Sequence, residues 1–478
     1  MDERLKSHEV PLAVDLDGTL VATDLLWESV FVLLKKNPLY LFCLPVWLLS
    51  GKANLKLQIA KRIVLDASLL PYRQDFLEYL RLQHKNGRRL VLATAAAEPL
   101  AQSVADELGL FETVFATRER TNLSSRLKAQ ALTEHYGAKG FDYAGNDRAD
   151  LAVFAAARKA IVVAPDRAAS RFQKASESHL FEQPVTGIKP YLKMLRVHQW
   201  LKNLLVFVPA ILAHTIFLPD DLIASILAFI AFSSAASAIY ILNDIIDLPL
   251  DRQHVKKKLR PFASGTLSIP FGLKISVLLL LIAGVLCFFL PLEFSFVIGL
   301  YLIATTAYSL ALKRMLLVDV LCLAALYTLR LLGGTAATEI PPSFWLMAFA
   351  MFFFLSLALV KRYVELDNSM VTEKDRIAGR GYRPEDIGIV GQSGVASGFT
   401  AVVVLALYIN SAAVQQLYTY PWLVWPLVPI VLYIVMRVWI LAHRKEVDDD
   451  PVVFLAHDWR SQVVIAIGVV LLFVAGIR

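Results

Sequence analysis

Cysteine is scarce in this chain, with Cys43, Cys287 and Cys322 forming no CxxC pair and the last two lying inside apolar stretches. That argues against a disulfide framework and against a zinc site. Charge is scarce too: charged residues make up 19% of the 478 and hydrophobic ones 57%, with a mean hydropathy of +0.55. A single water-soluble globule of this length is excluded, and much of the chain belongs in a bilayer. The charged N-terminal stretch lacks the apolar core and small-residue cleavage site of a signal peptide, which predicts that the first part of the chain stays in the cytoplasm. No internal repeat is evident. The net charge of +7 and pI near 9.1 fit basic cytoplasmic loops better than a nucleic-acid partner.

From residue 10 to about 182, short apolar runs at 10–14, 90–94, 113–116, 141–144 and 160–164 alternate with helical patterns such as 99–108 and 126–136. This alternation predicts an α/β domain with a parallel sheet covered by helices. Residues 21–88 read as a helical cap. Within it, 39–49 is apolar but too short to span a bilayer, and is bracketed by Pro38 and Ser50-Gly51. We expect it to be buried cap core, the alternative being a contact with the membrane interface. Gln183-Pro184-Val185-Thr186-Gly187 breaks the pattern, dividing the chain into a domain at 1–183, a linker at 184–194 and a membrane domain at 195–478.

Beyond the break the apolar runs predict nine spans, at 201–217, 222–242, 271–290, 294–312, 316–332, 344–360, 395–409, 422–441 and 463–477. The loops after spans two, four, six and eight carry Lys256-Lys257-Lys258-Leu259-Arg260, Lys313-Arg314, Lys361-Arg362 and His443-Arg444-Lys445. The opposite loops, 218–221, 291–293, 333–343 and 410–421, contain no Lys or Arg. A nine-helix bundle of the inner membrane with a cytoplasmic N-terminal domain follows.

Carboxylates cluster where the second span ends, in Asn243-Asp244-Ile245-Ile246-Asp247-Leu248-Pro249-Leu250-Asp251. At about 100° per residue, Asp244 and Asp247 stand one helical turn apart, and Asp251 returns toward them unless Pro249 ends the helix. Like charges crowded at a membrane boundary call for a divalent cation, and all-oxygen ligation favours Mg2+. The basic run ending at Arg260 then suits a Mg2+-bound diphosphate. Glu365 and Asp367 sit beside Lys361 and Arg362 on the same predicted side, which predicts one polar cavity. A solvated loop obeying the positive-inside rule would explain the lysines but not the aspartates.

Two resemblances extend this reading. Asp15-Leu16-Asp17-Gly18-Thr19-Leu20, with Thr94, Lys128 and Gly145-Asn146-Asp147-Arg148-Ala149-Asp150, resembles the haloacid dehalogenase superfamily. The resemblance implies Asp15 as nucleophile, Asp17 as general acid/base, Thr19, Thr94 and Lys128 on phosphate, and a Mg2+ site of Asp15, Asp17, Asp147 and Asp150. Asn146 departs from the family's acidic position, so Asp147 or Asp150 compensates or activity is reduced. Asn243-Asp244-x-x-Asp247-x-x-x-Asp251 with Arg260-Pro261-Phe262-Ala263-Ser264-Gly265 resembles the UbiA superfamily of intramembrane transferases. His198-Gln199-Trp200-Leu201-Lys202-Asn203 and Lys361-Arg362-Tyr363-x-Glu365-Leu366 are similar to its decaprenyl-phosphate phosphoribosyltransferase branch. That branch implies phosphoribosyl pyrophosphate as donor and polyprenyl phosphate as acceptor. Catalysis would then fall to Asp244 and Asp247, phosphate binding to Lys202, Asn243, Arg260, Lys361 and Arg362, and metal binding to Asp244, Asp247, Asp251, Glu365 and Asp367. The alternatives are transfer of an isoprenoid from a prenyl diphosphate to an aromatic or other small acceptor, and a non-enzymatic scaffold or transporter. A homo-oligomer is compatible with either.

Overall fold

Short strands rich in Val, Leu and Ala, buried on both faces, are the pattern that a parallel sheet requires. Among its described residues the computed structural model contains six: β1 Leu12–Val14, β2 Leu90–Ala97, β3 Thr113–Thr117, β4 Asp142–Gly145, β5 Ala160–Val163 and β6 His179–Phe181, in the order β3-β2-β1-β4-β5-β6 and parallel throughout. The structure describes residues 10–119, 121–176, 178–182, 187–371, 381–447 and 450–476; the start of the expected linker, 184–186, lies outside them. The sixth strand was not anticipated.

Alternation sorts the side chains of the sheet. Leu12, Val14, Leu90 and Leu92 face one apolar layer and Ala13, Val91 and Ala93 the other. Three helices lead from β1 toward β2 as a cap: α1 Leu25–Lys36, α2 Tyr40–Leu49 and α3 Lys52–Ala60. The next two, α4 Gln74–Lys85 and α5 Glu98–Leu108, cover the first face. The cap is therefore shorter than 21–88, because Phe76, Leu77 and Leu80 of α4 belong to the sheet's core. The second face is covered by α6 Arg126–Tyr136, α7 Leu151–Ala156 and α8 Arg167–Ala175. The apolar run at 39–49 is not buried core: none of the ten residues of α2 is buried.

The chain folds as two compact units, Met1–Met194 with Ile241–Ile275, and Leu195–Tyr240 with Ser276–Arg478. The first therefore contains the carboxylate-rich segment as well as the α/β fold and the short helix α9 Lys189–Leu195 up to Met194. In the second, the expected first span falls on a 3-10 helix, Val197–Phe207, followed by the short α10 Val208–Leu212. Pro209 has no N–H to give to an α-helical ladder coming from 205, so it begins a new helix instead. Among the described residues, eight helices are long and apolar enough to cross a membrane. They are α11 Pro219–Ile246, then, after the short α12 Leu248–Gln253, α13 Ile269–Cys287, α14 Leu292–Leu310, α15 Val318–Ala337, α16 Phe344–Val371, α17 Ile387–Ile409, and, after the short α18 Ala412–Leu417, α19 Leu427–His443; after α20 Pro451–His457 comes the last, α21 Trp459–Gly476. Small residues let three of them approach closely. The Trp439 ring of α19 lies against Gly394 of α17, and its Nε1 donates to Ser356 of α16 at 3.0 Å.

Within the first unit, the segment after α11 is fastened to the cap. Arg252 of α12 donates to both carboxylate oxygens of Glu28 on α1, at 2.6 and 2.9 Å, and its Nε donates to the Ala263 carbonyl at 3.0 Å. The side chains are 7% and 2% exposed. Gly265 follows with φ of +72°, and a Cβ there would strike the Ala22 carbonyl. Arg252→Met leaves Glu28 charged and buried, an expected loss of about 3–5 kcal/mol. Thermal unfolding in detergent checks this, and adding Glu28→Gln should restore most of the loss.

Candidate active sites

In an open parallel sheet, ligands bind beyond the carboxyl ends of the strands where the strand order reverses. Here the reversal lies between β1 and β4, and Asp15 follows β1 while Asn146 follows β4. Lys128 of α6 is buried and donates to Asp15 Oδ1 at 2.7 Å, to Tyr143 Oη at 2.8 Å and to Asp150 Oδ1 at 3.3 Å. The Thr19 hydroxyl lies 3.4 Å from Asp15 Oδ2 and 3.2 Å from Asn146 Oδ1, so these two oxygens face a common point. Gly18 is required there: φ is +77° and a Cβ would run into the Asn146 amide.

Electrostatics in this crevice are dominated by burial. Burial pushes the Asp15 carboxyl up to about 7, although Lys128 pulls it down. Burial, and after it the charge of Asp24, raise Asp17 well above the usual carboxylate range, while Asp17 Oδ1 accepts from the Leu25 N–H at 2.9 Å. Asp147 is raised by burial and by Asp150; its side chain caps the turn 148–150. Asp150 is a hydrogen-bond hub, accepting from Tyr143, Lys128 and the N–H groups of Asn146 and Asp147. Thr94 is buried in β2 and accepts from the Ala96 N–H at 3.0 Å.

The structure thus joins Asp15, Thr19, Lys128, Asn146 and Asp150 in one network. Tyr143, on the strand, and Lys56, in the cap, carried no motif and escaped the sequence reading. Lys56 of α3 donates to the Ala95 carbonyl at 2.6 Å and to Asn122 Oδ1 at 3.0 Å, and burial lowers its affinity for a proton against the opposing charge of Asp17.

The carboxylate-rich segment differs from expectation. The α11 helix ends at Ile246, and Asp247 leaves the helical region to begin α12. This break brings Asp244 and Asp251 together on Arg260, whose Nη1 lies 3.0 Å from Asp244 Oδ1 and 2.7 Å from Asp251 Oδ2. Asp247 turns instead to Lys35 of α1 at 2.7 Å. Burial raises the Asp251 carboxyl although Arg260 opposes it.

In the second unit, Lys202 pairs with Asp450 and its ammonium lies 5.6 Å from the centre of the Tyr327 ring. Burial would raise the Asp450 carboxyl, but Lys202 and Lys361 together hold it below its ordinary value. Arg330 of α15, 4% exposed, stacks over Tyr301 and Tyr327, and its Nε donates to Asn203 Oδ1 at 2.8 Å. Nearby in sequence to Lys202, the Arg196 guanidinium stacks over Tyr240. Arg362, expected on phosphate, is fully buried between Asp319 and Glu365. Asp367, expected on metal beside Glu365, pairs with Lys445 at 3.0 Å. Asp450, Arg330, Tyr301, Tyr327 and Asp319 were missed; a lone arginine inside an apolar span was the signal that could have found Arg330.

No three His, Cys, Asp or Glu converge at metal-ligand spacing among the described residues. The donors nevertheless suit a hard cation. In the sheet crevice one carboxylate and one amide oxygen face a shared point, and in the other site a buried carboxylate pair already holds a guanidinium. Asp15 also sets a pH dependence. From about pH 4 to 7 the unfolded chain releases its Asp15 proton and the folded domain keeps it, so stability falls as pH rises through that interval. With divalent ions chelated, Asp15→Asn should flatten this slope in a pH series of thermal melts.

The UbiA prenyltransferase family model matches residues 204–458, and that of the haloacid dehalogenase-like hydrolases matches 12–155. The chain is 36% identical over 464 residues to protein y4nM of Sinorhizobium fredii, across 95% of this chain and 89% of that one. It is 33% identical over 287 residues to nodulation protein NoeC of Azorhizobium caulinodans, across 59% of this chain and 92% of that one. To the decaprenyl-phosphate phosphoribosyltransferase of Mycobacterium tuberculosis it is 31% identical over 195 residues, across 40% of this chain and 65% of that one. With a matching family model over more than half its length, eight long apolar helices and a dehalogenase-like fold ahead of them, the chain belongs to the UbiA prenyltransferase family and carries an N-terminal haloacid dehalogenase-like domain.

Proposed function

We propose that this membrane protein transfers a phosphoribosyl group from phosphoribosyl pyrophosphate to a polyprenyl phosphate with Mg2+ bound, and that its dehalogenase-like domain then removes the 5-phosphate of the lipid-linked product. The observation that carries the reading is a set of cations in the second unit: Lys202 pairs with Asp450, Lys361 helps hold that carboxyl low, and Arg330 shares the Tyr327 ring with Lys202. A phosphoribosyl donor brings a pyrophosphate and a 5-phosphate, and its acceptor brings another phosphate. Such substrates demand more positive charge than a prenyl diphosphate with a neutral acceptor. The relative named for phosphoribosyl transfer to decaprenyl phosphate points the same way. Basic loops on one side support an inner-membrane protein with its N-terminal domain in the cytoplasm.

In this reading Lys202, Arg330 and Lys361 bind the phosphates and neutralise the leaving group. A lipid phosphate oxygen bonds to the anomeric carbon as its bond to pyrophosphate breaks, and pyrophosphate departs. Asp244 and Asp251, in the first unit, would hold a Mg2+, which supplies positive charge to a phosphate when bound. In the dehalogenase-like domain Asp15 attacks phosphorus, forming an aspartyl-phosphate as the P–O bond to the sugar breaks. Asp17, whose burial favours the protonated form, gives its proton to the leaving oxygen and then takes one from the attacking water. Asp15 with Asn146 would hold the Mg2+ of that site, and Lys128 stays bonded to the nucleophile.

The rings of Tyr240, Tyr301 and Tyr327 favour one second reading, transfer of an isoprenoid chain, since aromatic faces also suit an allylic cation. Incubation with labelled phosphoribosyl pyrophosphate and a polyprenyl phosphate separates the two. Label should enter the organic extract and fall by about 10²–10³-fold in Asp244→Asn. Absence of label, with prenyl diphosphate consumed instead, would select isoprenoid transfer. In the same assay Asp15→Asn should accumulate the phosphorylated lipid, and a product pattern identical to the unaltered protein would remove the dephosphorylation step.

A further inference from the structure

The helix α2, Tyr40–Leu49, has no buried residue, yet its sequence is YLFCLPVWLL. One side is fixed to the domain: Tyr40, Leu44 and Trp47 pack on the apolar cluster of α1 and α3, and the Arg62 guanidinium lies 4.7 Å from the centre of the Trp47 ring. The other side is bare. Phe42 is 75% exposed and Leu49 89%, with Leu41, Val46 and Leu48 exposed beside them. A helix of ten residues spans about 15 Å, half the thickness of a bilayer core, so it is too short to cross one.

Charge and position both name the bilayer as what covers this face. Between Glu28 and Asp66 there is no acidic residue; of the basic ones in that interval Lys35 turns to Asp247 and Lys56 to the crevice, which leaves Lys36, Lys52, Lys61 and Arg62 for the rim of the cap. A basic rim around an apolar helix is the pattern that seats on anionic lipid headgroups. Four residues before α2 begins, Lys36 follows Lys35, whose ammonium lies 2.7 Å from Asp247 and 3.4 Å from the Ile246 carbonyl. Those groups mark the end of α11, a helix long and apolar enough to cross the membrane. The bare face of α2 thus begins near the end of a helix with the length and composition of a membrane span. On its far side the cap reaches the sheet crevice, where Lys56 of α3 stands beside Asp17.

We propose that α2 is an interfacial helix that seats the cap on the membrane, and that the dehalogenase-like site takes a phosphomonoester borne on lipid and delivered from the bilayer surface. The second half of this proposal rests on the phosphatase reading above. The helix is tested first, on the full chain in nanodiscs containing anionic phosphatidylglycerol, with Cys43, Cys287 and Cys322 replaced and one fluorophore placed at Phe42→Cys, Leu49→Cys or, as an exposed control on α6, Gln130→Cys. Lipids with a nitroxide near the headgroup should quench positions 42 and 49 about threefold more than position 130. Equal quenching at 42 and 130, or a probe at 42 shielded from lipid and cross-linking to a second copy, overturns the membrane seat.

For delivery, Phe42→Asp with Leu49→Asp should lower kcat/KM about tenfold on a phosphomonoester lipid in vesicles and leave p-nitrophenyl phosphate turnover unchanged. Equal effects on both substrates overturn delivery from the bilayer. If the unaltered protein hydrolyses neither substrate, the phosphatase reading fails and delivery with it, while the quenching result still decides the helix.

Discussion

A charge taken out of water has to meet its opposite, and this structure depends on that condition more than on any single apolar contact. Lys128 stands against Asp15 and Asp150, Arg252 against Glu28, Arg260 against Asp244 and Asp251, Lys202 against Asp450, and Arg362 against Asp319 and Glu365. In all but the Arg362–Glu365 pair, at least one partner lies near the end of a helix or strand, where the backbone can turn enough to bring both in. The apolar layers fill the volume; the ion pairs decide which residues face each other.

Some of these pairs leave room for chemistry and others close it off. Arg362 and Asp319 are fully buried, and Tyr382 donates to the same aspartate at 2.8 Å, which is the pattern of a structural pin. Arg260 is different: its side chain keeps 29% exposure while it spans two buried carboxylates. A cation held at the rim of an acidic pair can give way to another without unpacking a core. The same contrast separates Asp150, with several donors around it, from Asp15, whose second oxygen faces Asn146 across the Thr19 hydroxyl.

Much of the α/β fold was legible because burial on both faces leaves near-continuous apolar runs, and five of the six strands were read from them. The three-residue β6 carries too little pattern, and α4 was assigned to the cap because its apolar face does not reveal which layer it covers. The long apolar helices were equally plain, whereas 201–217 was not: Lys202 and Asn203 are buried there with Asp450, Ser233 and Arg330, partners far away in sequence. The sites were legible as lists of residues and not as pairings. Helical periodicity put Asp244 with Asp247, but the turn at Asp247 put Asp244 with Asp251. Arg362 read as a phosphate ligand because its partner Asp319 lies one helix earlier and nothing in the spacing links them.

The fastening of Arg252 to Glu28 bears on how the gene can be divided. The composition suggests a clean cut near residue 183, yet a fragment ending at Met194 would carry Glu28 without its guanidinium and Ala22 without the Gly265 loop laid over it. The converse fragment would keep α12 with a buried arginine and no acid to meet it. Expressed together, the two halves could still find each other through that pairing, so a split gene would be expected to complement itself where either piece alone does not fold correctly.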